Sequence, residues 1–403
     1  MAKPRFVEPW APEFTGTSWY VGKNGSDASA TGRGSMDKPF LTIQNAITLA
    51  SAGDRIYVGR GTYAEALTVN KTLYISAMVP ESVLVTSATV AGATVLYNGT
   101  QTGGFWDGIN ITNSNNAGTS IALAVANVGT MSGKYVFTKS RVLAGNGGAT
   151  TSQAYVITGS AASAIQVEID SPRVFGGQTI ALAHANDSVT FRDVMWSDGP
   201  QDWFIITGTA GNVYLKGCVL LGAGTTERIN FGAGAACAVV CHLESSHING
   251  LIYSNNLAGT GYIEMRDVGG LYYITCNQVE QMFRYYDGDL LTLQMQNINL
   301  SGATARTLFT VPASRMFCPE RVATSNKAIA ATAAVNYQYN GSAAASMVAA
   351  TGALALQPGT IVNALVAPPN IAAATNTVQF QVTGAGGAGD RADATVIGRL
   401  VNV

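Results

Sequence analysis

The stretch WSDGPQDW sets Trp196, Asp198, Asp202 and Trp203 within one short segment. Aromatic rings beside carboxylates suit a sugar, because the ring stacks on the pyranose while the acids accept from its hydroxyls. The same residues also read as a Gly-Pro turn with Trp196 directed into a core. Asp287 and Asp289 in YYDGDLL form a second acidic turn, suited to a chain reversal or a weak cation contact rather than to catalysis. CAVVCHLESSH brings together Cys237, Cys241 and His242, residue types that bind zinc. On a strand, however, Cys237 and Cys241 are about 13 Å apart, and one ion with bonds near ~2.3 Å cannot reach both. Cys241 and His242 also point to opposite faces. GAGGAG (384–389) lacks the strand-to-helix setting of a phosphate loop. No cofactor and no metal are expected.

The elements that must position such residues form a repeat. YVFTKSRV, VEIDSPRV, VTFRDVMW, VYLKGCVL, CHLESSHI, IEMRDVGG and LQMQNINL each place in-facing residues at offsets 0, 2, 5 and 7. They start at Tyr135, Val167, Val189, Val213, Cys241, Ile263 and Leu293. Two short alternating strands around a fixed bend, recurring every 22 to 32 residues, predict a parallel β-helix in which each repeat is one coil. The competing reading is a sandwich of regular hairpins, but few Asn-Gly or Asp-Gly turns fall between the strands.

Stacking would align residues of successive coils about 4.8 Å apart. The first bend position then carries Asp170, Arg192, Lys216, Glu244 and Arg266, a charge ladder that fixes register. A glycosidase needs two carboxyls about 5–9.5 Å apart, one of them kept protonated. A polysaccharide lyase needs a base and a cation. The outward positions of the first strand read Val136, Glu168, Thr190, Tyr214, His242, Glu264 and Gln294; those of the second read Arg141, Arg173, Met195, Val219, His247, Gly269 and Asn299. Neither face stacks two acids on adjacent coils, which leaves loops or subunit boundaries as places for a catalytic pair.

Composition agrees with a solenoid. The chain has 403 residues, 45 glycines and only 12% charged residues, which favours a Gly-, Ala-, Ser- and Thr-rich β protein over a salt-bridged helical one. The net charge of −1 offers no basic field for nucleic acid, and no apolar run suggests a membrane span. The five cysteines, at 218, 237, 241, 276 and 318, have no framework spacing and read as reduced, buried thiols. The opening MAKPRFVEPWAPEF lacks an apolar leader core and reads as a Pro-containing extended arm over residues 1–17.

One stretch stands apart. In DKPFLTIQNAITLASAGDRIYVGRGTY, Phe40, Ile43, Ile47 and Ala50 recur at helical spacing. The pattern predicts a helix near 40–51, with Pro39 at its first position, Asp37 favouring its N-terminal end and Gly53-Asp54 terminating it. The strand RIYV follows. A lone helix beside a strand-rich remainder suits a lid over the end coil of a solenoid.

The whole segment from Trp19 to Val69 resembles the N-terminal coil of right-handed β-helix, pectin-lyase-like proteins: NGSD, then KPF-TIQ-AI on a capping helix, GD-I-V and GTY-E, in that order. The resemblance covers about fifty residues and implies the fold. It leaves activity open, since this scaffold carries lyases, hydrolases, epimerases and structural viral proteins. The Ala-rich remainder, with short strands at sandwich spacing, resembles C-terminal modules of bacteriophage virion proteins through LFTVPA and GDRADATVIGRLV. The expected layout is all-β: a right-handed parallel β-helix over 18–300, then a C-terminal β-sandwich or jelly roll over 301–403.

These resemblances imply a non-enzymatic bacteriophage virion protein, a homotrimeric projection on the particle surface made in the host cytoplasm. It would be a capsid decoration, head spike or tail fibre docked to a major capsid protein or a tail or baseplate protein. The alternatives are a glycan-active tailspike depolymerase or polysaccharide lyase, and a non-catalytic adhesin for a host-surface glycan.

Overall fold

The computed structural model describes residues 16–402, apart from 29–31, 89–91, 116–119, 146–151, 197–202, 222–227, 232–236, 255–260, 269–271, 277–280, 288–289, 300–304, 312–314, 329–332, 340–341, 347–353, 357–360, 366–376 and 385–390. The chain divides into two compact units, residues 1–230 with 246–252 and 270–273, and residues 231–245 with 253–269 and 274–403. The arm at 1–15 and most of GAGGAG lie outside the described residues.

The first unit is a parallel β-helix with three strands per coil. Sheet A is built from Ser18–Val21, Arg55–Val58, Tyr74–Ala77, Gly103–Asp107, Gly133–Thr138, Ile165–Asp170, Ser188–Arg192 and Asn212–Lys216. Sheet B is built from Gly61–Ala64, Val83–Ser87, Ile109–Asn113, Arg141–Ala144, Arg173–Phe175, Met195–Trp196, Val219–Leu221 and His247–Ser254. Sheet C contains Leu67–Val69, Ala93–Tyr97, Ile121–Ala126, Gln153–Thr158, Gly177–Leu182 and Phe204–Gly208. Parallel crossovers of this kind wind right-handed.

The register follows the repeat. Tyr135, Val167, Val189 and Val213 stack on sheet A, with Phe137, Ile169, Phe191 and Leu215 beside them. Val142, Val174, Trp196, Leu220 and Ile248 stack on sheet B. Their side chains fill the coil interior at 1% exposure or less. Aromatic rings from the three sheets meet edge to face inside one coil: Trp196 sits 4.9 Å from Phe204 and 5.4 Å from Phe191, centroid to centroid.

Between sheets A and B the chain bends through a left-handed residue, at Lys139, Asp193 and Gly217, with φ of 51°, 50° and 62°. At the first two of these bends the peptide N–H donates across to the next coil, Lys139 N to Asp170 O and Asp193 N to Lys216 O, both 2.9 Å. The following residue, Ser140, Val194 or Cys218, is buried. One coil breaks this rule. The repeat places Pro172 inside, but Pro172 is exposed and Ser171 is buried instead. A residue before proline is pushed into the extended region, so Ser171 cannot adopt the left-handed bend. Its hydroxyl instead hydrogen-bonds Tyr155 Oη at 2.9 Å, inside the coil.

The helix is shorter than expected, Ile43–Leu49, and is capped by Thr42 rather than begun at Pro39. Thr42 Oγ1 accepts from Asn45 N and donates to Asp27 Oδ2 at 2.6 Å. The Glu65 carboxylate accepts from Ile43 N at 3.0 Å and Gln44 N at 2.9 Å. At the other end Lys71 Nζ donates to the carbonyls of Ile47, Thr48 and Ala50 at 3.1, 2.7 and 2.7 Å. A seven-residue helix is too short to hold itself. An acid on its N–H end and an ammonium on its C=O end satisfy its orphan groups and oppose its dipole. Phe40, Ile43, Ala46 and Ile47 are buried against the first coil. Asp54, 5% exposed, closes the junction by accepting from Thr17 N, Ser51 N and Trp19 Nε1 at 2.7 to 2.8 Å. Burial raises the Asp27 pKa, but hydrogen bonds from Thr42, Leu41 and Asn45 outweigh it and hold the carboxyl below its ordinary range.

In the second unit Val240–Glu244, Ile263–Arg266 and Gln281–Asp287 pair in parallel, stacking Cys241 on Ile263 and Ile263 on Phe283. The repeat assigns Leu293 and Met295 to the next coil. Here the structure differs: Leu290–Asn299 runs antiparallel to Gln281–Asp287, with Asp287 opposite Leu290, and Asp289 lies outside the described residues. Two antiparallel sheets follow. One joins Leu290–Asn299, Arg391–Asn402, Arg315–Ala328 and Ile361–Leu365; the other joins Ala305–Thr310, Thr377–Gly384, Ala333–Tyr339 and Ser342–Ser346. Leu293, Met295, Phe317 and Val396 from one sheet share a core with Leu308, Phe309, Val378 and Phe380 from the other, as in a sandwich.

Replacing Lys71 by Met removes three charge-assisted bonds at the helix C-terminus. Urea unfolding is expected to show a loss of about 1–3 kcal/mol with an unchanged circular dichroism spectrum. An unchanged midpoint contradicts the capping role.

Candidate functional site

Trp196 and Trp203 are both buried, at 1% and 2% exposure. Trp196 occupies the inward position that the repeat assigns to it. Neither indole presents a face to solvent, as stacking on a sugar requires. Asp198 and Asp202 lie outside the described residues. Cys237 and Cys241 are buried free thiols. Burial, and then the neighbouring Cys237, drives the Cys241 pKa far above the ordinary thiol range. Cys218 is pushed up to about 12 by burial. These are apolar core positions rather than thiolates poised to bind or attack. Among the described residues no three His, Cys, Asp or Glu side chains converge as a metal site.

The densest polar cluster lies in the second unit, on the outward side of the parallel strands. His242 lies opposite Glu264, and Glu264 lies opposite Arg284, on successive strands. Glu264 is 7% exposed. Its Oε1 accepts from Arg266 Nε at 2.9 Å and lies 3.7 Å from His242 Nδ1. Rings surround the cations. Arg284 lies 3.5 Å from the Tyr262 ring centre and 5.3 Å from that of Phe309, while Arg266 lies 3.8 Å from that of Tyr286. Arg284 Nη2 also donates to Leu308 O at 3.3 Å. Burial raises the Glu264 pKa, but the hydrogen bonds and charges of His242 and Arg266 outweigh it, so the carboxyl stays below its ordinary range. Tyr286 is pushed up to about 12, by burial first and the Glu264 charge second.

This chemistry has a direction. A general acid for glycoside cleavage must keep its proton at working pH, with a raised pKa. Glu264 is the opposite, a carboxylate held charged between cations. Its role in this geometry is electrostatic: it joins its own strand to that of His242 through Arg266 and His242, while Arg284 on the next strand reaches Leu308 of Ala305–Thr310. The sequence contained the signal, since Glu264 and His242 stand at the same offset of adjacent coils. A search for paired acids passes over an acid paired with cations. Arg284 was hidden because the next parallel strand is QMFRYYD, not LQMQNINL.

The other outward ladders follow the same rule. Lys134 Nζ meets Glu168 Oε1 at 2.9 Å, and Arg141 Nη2 meets Glu81 Oε2 at 3.1 Å. Asp107 accepts from Thr138 Oγ1 at 2.8 Å and lies 4.0 Å from Lys139 Nζ. The bend ladder sets Asp170 opposite Arg192, Arg192 opposite Lys216, and Glu244 opposite Arg266.

A family described as a protein of unknown function (DUF1565) matches residues 23–165. These residues include the cap and the first coils. No curated protein sequence matches the chain. Among solved structures, the pectate lyase Pel9A is similar at 12% identity and a TM-score of 0.42, over 66% of this chain and 80% of its own. The ORF18 protein of Geobacillus virus E2 is similar at 11% identity and a TM-score of 0.38, over 68% of this chain and 66% of its own. Pantoea stewartii WceF, a glycan biofilm modifying enzyme with a bacteriophage tailspike-like parallel β-helix fold, is similar at 10% identity and a TM-score of 0.30, over 85% of this chain and 54% of its own. At these identities the likeness is one of fold. The chain has the parallel β-helix fold, similar to that of pectate lyase and tailspike-like proteins.

Glu264→Gln keeps the shape of the side chain and removes its charge. At pH 7 the variant is expected to lose about 1–3 kcal/mol of stability in urea. The folded pKa lies below the unfolded value of about 4.3, so the wild-type advantage is complete above that pH and is lost as pH falls through the folded pKa. The gap between the two proteins should therefore close in acid; a pH-independent gap contradicts the assignment. Trp196→Ala should cost about 3–5 kcal/mol through the cavity left inside the coil. A fully stable variant would contradict a structural Trp196.

Proposed function

We propose that the chain is a structural protein of a bacteriophage particle, a homotrimeric projection carried on the capsid or tail. The observation that carries this reading is the use made of outward charge. In the described ladders the buried or partly buried carboxylates are engaged by cations, hydroxyls or backbone N–H groups: Glu264 by Arg266, Glu168 by Lys134, Asp107 by Thr138 and Glu65 by the helix. Such an arrangement favours stiffness and register over proton transfer. The capped parallel solenoid and the antiparallel unit also match the layout expected from the sequence resemblances. In this reading the arm or the C-terminal unit docks to a capsid or tail protein, and the solenoid projects into solvent.

A glycan-active tailspike is the competing reading, and its natural acids would be Asp198 and Asp202, sequence neighbours of Trp196 and Trp203 that lie outside the described residues. The two are separated by one pair of measurements. An antibody to the chain is expected to label purified phage particles, while the purified chain should leave the viscosity of capsular and pectic polymers unchanged. Absence from particles contradicts the structural reading; loss of polymer viscosity moves the chain to the depolymerases.

A further inference from the structure

The three faces of the solenoid differ in charge. The strands of sheet A carry Arg55, Asp107, Lys134, Glu168, Asp170, Arg192 and Lys216, and the outward column of sheet B carries Arg141 and Arg173. In sheet C, none of the six strands from Leu67–Val69 to Phe204–Gly208 contains Asp, Glu, Lys, Arg or His. The border turns of the middle coils share this property, whereas those of the outer coils carry Glu65, Lys71, His184, Asp187, Asp198 and Asp202 in the sequence. Residues 108–133 and 142–167 contain no ionisable acid or base apart from Tyr155, whose ring is inside the coil. The run ends where the following strand opens with Arg228.

Register identifies the outward side chains. The central column is Thr68, Leu96, Ala124, Val156, Thr179 and Ile205. Beside it runs Ala126, Thr158, Ala181 and Thr207. Apart from Leu96, these are small or β-branched residues on a surface without protruding charged stems. Most are half-buried by their neighbours, and Thr68 and Thr158 are exposed. Depletion of charge distinguishes the centre of a subunit interface from the rest of a protein surface.

We propose that the outer face of sheet C is the surface that a second copy of this chain covers, turned toward the common axis of the trimer. This rests on the trimeric reading above. The occupant follows from charge and area. A partner with charges at the contact would bury them unpaired against sheet C, at high cost. A second copy brings a charge-free surface of its own, so neither side strands an ion. Six strands at about 4.8 Å and five residues at about 3.3 Å give a patch of roughly 29 by 17 Å. The charge-free turns of the middle coils, within residues 108–133 and 142–167, extend it toward the roughly 800 Å² per partner of a standard interface. The charged ladders of sheet A then remain in water.

Light scattering after size exclusion tests the assignment on the full chain. The wild type is expected near three times 41.8 kDa. The double variant Val156→Lys/Thr179→Lys is expected to fall to a folded species of 41.8 kDa, while Met195→Lys, at a 43% exposed position on sheet B, keeps the wild-type mass. A folded double variant that stays trimeric overturns the face assignment alone, as does dissociation caused by Met195→Lys instead. A monomeric wild type overturns the face and the trimer together. Should the double variant not fold, maleimide labelling decides. Thr158→Cys in the assembled protein should react at least about tenfold more slowly than Met195→Cys, each measured above the labelling of the unsubstituted chain; equal rates overturn the proposal.

Discussion

A coil of this protein cannot satisfy its own backbone. The inner strands of sheets A, B and C lend their N–H and C=O groups to the coils before and after them, and among the described residues the first coil has no strand of a preceding coil to pair with. The helix Ile43–Leu49 and its clamps, Asp27, Glu65 and Lys71, answer that constraint. They shield the apolar end of the solenoid with an element whose own orphan groups are bound by side chains from the neighbouring turns. The polar residues of this segment are therefore understood as one hydrogen-bond network. Asp54 ties strand, helix exit and Trp19 together in the same way.

Stacking also dictates where charge can go. Once coils are in register, charges face one another a strand spacing apart; cations do so in Arg192 with Lys216 and Arg141 with Arg173, while outward acids are placed next to cations or hydroxyls. Glu168 with Lys134 and Glu264 with Arg266 and His242 are cases of this rule at different degrees of burial. The buried Glu264 has two cationic or imidazole partners, because an unpaired buried charge is costly. Sheet C takes the other solution: its six strands from Leu67–Val69 to Phe204–Gly208 carry no charged side chain. The contrast between a face of paired ions and a face without ions is the feature of this solenoid that bears most directly on assembly.

Much of this was legible in the sequence, and the exceptions have physical causes. Alternation around a bend located the inward residues of sheets A and B in five coils, because side-chain period and bend are local properties. Pro172 was misplaced because its ring changes the conformation allowed to Ser171. Leu293 and Met295 were given to a parallel coil because alternation is the same in an antiparallel strand facing a sandwich core. Sheet C was not read at all: its strands follow loops of varying length, and their inward residues fall at no fixed offset. The helix was found but begun too early, since Pro39 suits a first turn and the groups that fix the true start are distant in sequence: Asp27 accepts from Thr42, and Glu65 from Ile43 and Gln44. Trp196 was assigned correctly to the interior by the repeat. The Glu264 cluster was overlooked because two acids, not an acid and its cations, were sought.

Electron cryomicroscopy of the purified full-length chain tests the central claim most directly. The account predicts a threefold particle in which three parallel solenoids pack side by side, with sheet C of each facing the axis and the charged ladders of sheet A outside. A single solenoid with sheet C open to solvent would contradict it.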